Sequence, residues 1–99
     1  MDYKVLIAPH ARNDLKIIVR FIAQENPKAA LNLGKLLIEK ALSLQSLPLR
    51  GRIVPELNES FIRELIFKSY RIIYQISEAN RSVAILRFWH AARGAPEIS

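Results

Sequence analysis

Residues 61–94 read FIRELIFKSYRIIYQISEANRSVAILRFWHAARG, and their alternation decides the fold. Phe61 to Phe67 is rich in Ile, Leu and Phe. Tyr70 to Ile76 places Tyr70, Ile72, Tyr74 and Ile76 on one side and Arg71, Ile73 and Gln75 on the other. Ser82 to His90 carries Val83, Ile85, Leu86, Phe88 and Trp89. β-Branched and aromatic side chains suit a pleated, half-buried surface, and a period of two gives each of them a face. Lys68-Ser69 fits a two-residue hairpin and Ser77 to Arg81 a polar turn, so the three strands form an antiparallel meander. Their polar residues are notably cationic: Arg63, Arg71, Arg87, His90 and, just beyond, Arg93. Such a row predicts a surface that meets an anionic partner.

Upstream of the meander the apolar period changes to that of helices. Ala11, Leu15, Ile18 and Ile22 step by four, three and four, which predicts a helix from about Pro9 to Gln24, with proline at its first position and Asp14 early in its length. Glu25-Asn26-Pro27 breaks it, with Asn26 as N-cap and Pro27 as first residue of a second helix. That helix runs through Ala30, Leu33, Leu37, Ala41 and Leu44 and ends near Leu47-Pro48, with Gly34 marking close approach to the first helix. Tyr3 to Ala8 is a short strand ended by Pro9. The order βαα-βββ predicts an α+β fold in one domain, residues 1–99: a helical hairpin on one face of a small, mainly antiparallel sheet. Pro48 to Leu57 is the connecting loop, where Gly51 permits a turn and Arg50 and Arg52 flank it.

Charge sharpens the division between the halves. Fifteen Lys and Arg against nine Asp and Glu give a formal net charge of +6, an excess that favours phosphate-rich or acidic partners. Through residue 49 the cations are five Lys and two Arg; from residue 50 they are seven Arg and one Lys. Arginine's planar fork grips phosphate or carboxylate bidentately, whereas lysine serves as a solvated point charge. The sheet half therefore reads as the recognition surface. Cysteine is absent, which removes disulfides and thiolate metal sites, and with only two histidines no metal cage is expected. No cofactor is expected. No apolar run approaches the roughly 20 residues that span a bilayer, and MDYKVLIAPH lacks the features of a signal peptide. The expectation is a cytoplasmic protein with no membrane partner.

Several fragments, in order, resemble the RelE/ParE superfamily of bacterial toxins from type II toxin–antitoxin systems. They are Ala11-x-x-Asp-Leu15, Phe21-Ile-Ala23 followed by Asn-Pro27, Gly51-Arg52-x-Val-Pro-Glu56, Arg63-Glu-Leu65, Tyr70-Arg-Ile-Ile-Tyr74, and Val83-x-Ile-Leu86 followed by His90-x-x-Arg93. The resemblance covers nearly the whole chain and implies a growth-arresting toxin neutralised by a cognate acidic antitoxin in a hetero-oligomer. It leaves two mechanisms open. Members like RelE and YoeB enter the ribosome and cut mRNA; members like ParE poison DNA gyrase without hydrolysis. On the first, slightly favoured reading, Glu56 matches the general base, Arg71 the phosphate-stabilising arginine and His90 the general acid. The His90-x-x-Arg93 ending and the long helical hairpin look ParE-like. A decayed toxin that only binds antitoxin is a third reading.

Metal-free cleavage by the RNA's own 2′-hydroxyl needs a base, a cation for the phosphorane and an acid for the leaving oxygen. Glu56, Arg71 with Arg52 or Arg87, and His90 would fill these roles, with Arg50, Arg52, Arg63, Arg87 and Arg93 as phosphate or nucleic-acid contacts. The plainer alternatives are a loop ion pair of Glu56 with Arg50 or Arg52, a solvated Arg71, and a structural His90. Trp89, Tyr70 and Tyr74 are expected in the core, and His10 at the surface. Strict alternation sets Arg87 with Val83, Ile85 and Trp89, and His90 with Leu86 and Phe88. A bulge or sheet curvature would be needed to bring Arg87 and His90 to one surface.

Overall fold

In the computed structural model, residues 2–98 are described; Met1 and Ser99, the ends of the expected domain, lie outside them. The chain runs β1 (Lys4–Ile7), α1 (Pro9–Ala23), α2 (Pro27–Leu42), β2 (Arg52–Ile53), β3 (Ile62–Phe67), β4 (Tyr70–Ser77) and β5 (Ser82–His90). The five strands form one sheet in the order β1-β5-β4-β3-β2, antiparallel except for β1, which lies parallel to β5. This is the expected α+β arrangement, with the helical hairpin packed on one face. Two boundaries differ. The second helix ends at Leu42 and tightens into a 3-10 turn, Ser43–Gln45, and the loop ahead of the meander contributes the short edge strand β2.

The helices begin and pack as their sequences dictate. Asn26 caps α2 by accepting a hydrogen bond from the Ala29 N–H at 3.0 Å, ahead of Pro27 at the first position. A Cβ added to Gly34 would stand 3.0 Å from Val19 Cγ2, so the glycine permits α1 and α2 to approach closely. Beneath the hairpin lies the main core: Ala11, Leu37, Ala41 and Leu44 against Ile72, Tyr74, Val83, Ile85 and Phe88. Burying each large aliphatic or aromatic side chain there contributes on the order of 2 kcal/mol. A smaller cluster, Val54, Ile73 and Trp89, with Ile62, Leu86 and Ile98 against it, covers part of the other face. The sheet is thus apolar on both sides, but only one side carries helices.

The last strand contains the irregularity that alternation demanded. Ile73 pairs with Arg87 and Tyr74 with Ile85, so Leu86 is an extra residue. This bulge lets Val83, Ile85 and Phe88 all enter the main core although their sequence parity differs. It lies before Arg87, however, so Arg87 and His90 still alternate normally with one another. Arg87 falls with Trp89 and Ile73; His90 falls with Tyr70 and Phe88.

α1 is locked to the sheet just past the bulge. β1 ends at Ile7, which leaves the later part of β5 without a neighbouring strand on that side. Asp14 fills the gap. Its carboxylate accepts from Arg87 Nε and Nη2 at 2.6 and 2.7 Å and from the Phe88 N–H at 3.1 Å. Asp14 and Arg87 are 7% and 9% exposed, so removing one partner strands a buried charge, a loss that typically reaches 3–5 kcal/mol. Asp14→Ala is expected to lower the unfolding free energy by about 3 kcal/mol in denaturant titrations, with the m-value unchanged. A loss below about 0.5 kcal/mol, the range of ordinary surface substitutions, would show that the clamp is dispensable.

Candidate functional site

The helix-free face carries a chain of four ionised groups. Glu64, in the middle of β3, is fully buried at the side chain, yet it holds two arginines: Arg71 Nε at 2.6 Å and Arg52 Nε at 2.7 Å. Register explains the placement. Arg52 lies directly across from Glu64 on β2, and Arg71 sits diagonally on β4, opposite Ile66. Arg71 then presents its outer fork, Nη1 and Nη2, to both oxygens of Glu56 at 2.9 and 2.7 Å. Glu56 follows β2 in the turn that leads to β3. Of the plainer alternatives, the Glu56 ion pair is made with Arg71 and not with Arg50 or Arg52, and Arg71 is buried, not solvated.

These contacts set the local electrostatics. Hydrogen bonds from Arg71 hold the Glu56 carboxyl down from 4.5 to about 2. The same pairing raises the Arg71 guanidinium above its ordinary value, with Glu64 adding to the shift. Arg87 is likewise raised, chiefly by the hydrogen bonds it donates to Asp14. Burial raises the Tyr74 phenol, whose oxygen accepts from the Gly51 N–H at 2.9 Å and donates to Pro48 O at 2.8 Å. That bridge pins the loop bearing Arg50 and Arg52 to the centre of the sheet. Gly51 is required there: a Cβ would lie 2.5 Å from Glu64 O and 2.6 Å from the Tyr74 hydroxyl.

The remaining predicted site residues are dispersed. Arg50 donates through Nη1 to Ser43 Oγ at 2.6 Å, and Arg63 donates to Gly51 O at 3.0 Å and Ser60 O at 3.1 Å. Besides Asp14, Arg87 donates to Glu97 O at 2.7 Å. Arg93 is exposed and stacks on the buried Trp89 ring, 4.1 Å from its centroid, while Trp89 Nε1 donates to Gly94 O at 3.0 Å. Arg52, Arg71 and Arg87 share the helix-free face, with Arg93 laid over Trp89 of that face, but Arg71 and Arg87 are held by the protein's own carboxylates and Arg63 by its backbone oxygens.

His90 stands on the other side of the sheet. It pairs in register with Tyr70 and meets that ring edge-on at 5.1 Å. Its Nδ1 accepts from the Ala92 N–H at 3.1 Å, starting the 3-10 turn Ala91–Arg93. A cleft of about 200 Å³ lies beside it, walled by Ile17, Ile18, Phe21, Tyr70, Phe88 and Arg93. Ile17 and Phe21, part of the helix's apolar side, are exposed there. Glu56 and Arg71 therefore share one face, and His90 opens on the other. His10 is exposed, and Trp89, Tyr70 and Tyr74 are buried, as expected.

Two carboxylates that organise the site, Asp14 and Glu64, are not among the site residues the sequence predicts, although Asp14 is read as an early helix acid and both stand in the family-like fragments. Glu64 had a readable signal. The Lys68-Ser69 hairpin sets Phe67 against Tyr70, which places Glu64 on the face of Arg71 and two residues from direct opposition. Asp14 had none, because its partner lies 73 residues away.

Comparison with known proteins agrees with this architecture. Residues 5–94 match the family described as the ParE toxin of the type II toxin-antitoxin system, parDE. Toxin RelE1 of Caulobacter vibrioides is 30% identical over 90 residues, covering 91% of this chain and 95% of that protein. Among solved structures, a chain of the chromosomal ParDE system of P. aeruginosa superposes with a TM-score of 0.74 at 19% identity, covering 89% of this chain and 95% of that one. A chain of the RelBE2 toxin–antitoxin complex of Mycobacterium tuberculosis gives 0.67 at 26% identity, covering 91% and 99%. The chain belongs to the ParE toxin family, within the RelE/ParE superfamily of type II toxin–antitoxin toxins. Among the described residues, no helix is long and apolar enough to cross a membrane.

The Glu56–Arg71 pair has a defined acid response. Because the folded carboxyl lies at about 2 and the ordinary one at 4.5, its contribution to stability is complete above pH 4.5 and is lost as pH falls towards 2. The stability difference between the wild-type chain and Glu56→Gln is expected to be constant from pH 5 to 7 and to vanish across that acid window, as about 2 and 4.5 require. Urea melts at a series of pH values test this. A difference that grows on acidification would reverse the sign.

Proposed function

We propose that this toxin arrests growth by docking on its target rather than by cutting RNA, in the manner of ParE-like toxins that engage DNA gyrase, and that a cognate acidic antitoxin neutralises it. The observation that carries this reading is the division of the three residues that cleavage would need. A general base must be free to take a proton, and a carboxylate held at about 2 by a bidentate arginine is a weak base at neutral pH. An acid must reach the leaving oxygen opposite the base, yet His90 opens on the helix-bearing face while Glu56 and Arg71 lie on the helix-free one. The match to the parDE family supports the same choice. A net charge of +6 suits both an acidic antitoxin and a target that handles DNA.

The two mechanisms separate in one experiment. Expression is induced in cells, mRNA integrity is followed by primer extension, and plasmid supercoiling by purified gyrase is measured with the protein in excess. Intact mRNA together with supercoiling reduced at least about tenfold, as near-complete occupancy of gyrase by the excess protein requires, is the expected outcome. Cut mRNA with normal supercoiling would return Glu56, Arg71 and His90 to the cleavage reading. Normal growth on induction would identify a chain kept only for antitoxin binding.

A further inference from the structure

The two carboxylates on Arg71 are not equivalent. Glu64 is fully enclosed and holds Nε from behind; Glu56 lies on a surface turn with its side chain 37% exposed and covers the outer fork. Arg52, 59% exposed at the side chain, is tied to Glu64 only through Nε, and its terminal nitrogens make no hydrogen bond among the described residues. Take Glu56 away and two guanidinium groups remain, both oriented by one buried anion and one of them already shaped for two coplanar oxygens. Beside them Ile66, opposite Arg71 on β3, is 55% exposed, apolar ground next to a charged centre.

We propose that Glu56 is an internal stand-in for a partner's carboxylate: an Asp or Glu side chain of the antitoxin displaces it, binds the outer fork of Arg71 and takes Arg52 as a second contact. This rests on the reading of the chain as an antitoxin-neutralised toxin. The class of ligand follows from the present occupant, since the fork is filled by a carboxylate at 2.9 and 2.7 Å with both oxygens used. The exchange keeps the buried Arg71 charge paired throughout, which its burial demands. It also returns Glu56, whose side chain is already 37% exposed, to full hydration. Glu64 keeps Arg71 in place, so the incoming group meets a preorganised donor. When the antitoxin leaves, Glu56 closes the site again and the free toxin holds no stranded cation.

The test uses the full chain, wild type and Glu56→Gln, with glutarate and inorganic phosphate as probes at constant ionic strength. The Arg71 Nε–H resonance is followed by NMR, and thermal melts verify that the variant is folded. Glu56→Gln is expected to bind glutarate at least tenfold more tightly than wild type, with the shift centred on Arg71, and adding Arg52→Gln should reverse several-fold of the gain. The cognate antitoxin should bind Glu56→Gln about five- to tenfold more tightly than wild type, about 1 to 1.4 kcal/mol. Equal or weaker binding by the folded Glu56→Gln variant makes Glu56 a brace and overturns the displacement. Phosphate binding more tightly than glutarate at Arg71 overturns the choice of carboxylate. Failure of the antitoxin to bind the wild-type chain overturns the neutralisation reading, and the partner with it; binding with equal affinities overturns the displacement alone.

Discussion

The Asp14 carboxylate takes the place of a strand. Where β1 stops, the edge of β5 would leave the Phe88 N–H without a backbone acceptor, and the preceding arginine would sit buried without an anion. One side chain from α1 answers both needs, accepting two hydrogen bonds from Arg87 and one from Phe88. Because Asp14 belongs to the first helix, the same contact fixes how the hairpin lies on the sheet. The bulge at Leu86 completes the arrangement: it turns Phe88 towards the helices while Arg87 and Trp89 remain on the other side. Which face each later residue of β5 occupies, His90 included, follows from these two features.

The helix-free face is built around a second buried carboxylate. A charged group at the centre of a sheet is tolerated only when its oxygens are satisfied, and Glu64 is satisfied by arginines from both neighbouring strands. Glu64 thereby converts two flexible side chains into fixed ones. The chain's excess of positive charge is therefore less available than its formula suggests. Asp14 takes up Arg87, Glu56 and Glu64 take up Arg71, and backbone oxygens take up Arg63. Arg50, Arg52 and Arg93 are the exposed members of the group, held on Ser43, anchored on Glu64 and laid over Trp89 in turn.

Much of this fold is legible in the sequence because its strongest signals are local. The alternation of Tyr70 to Ile76, the two-residue Lys68-Ser69 link and the Asn26-Pro27 start of α2 each depend on neighbours a few residues away. Gly34 is legible for the same reason: only a small residue suits a helix face that touches another helix. β2 was not, since two residues carry no period, and its pairing comes from the Tyr74 hydroxyl holding the loop through Gly51 and Pro48. In the site, the residues of interest were visible but their partners were not. Arg71 was correctly set opposite Tyr70, Ile72 and Tyr74; that Glu56 would reach it depends on the route of a loop, which alternation does not describe. The location of the bulge mattered most. Parity allowed a bulge or curvature that would join Arg87 and His90 on one surface; packing places the bulge before Arg87, where it leaves the two on opposite faces.

The pairing of β1 with β5 joins the earliest strand to the latest, and Asp14 meets Arg87 across 73 residues of chain. Contacts of such wide separation form late, because the intervening loop must first be closed. A nascent chain still lacking β5 has no counterion for Asp14, no lid for the main core and no cleft beside His90. The surface that forms around β5 is therefore completed only once that strand is in place.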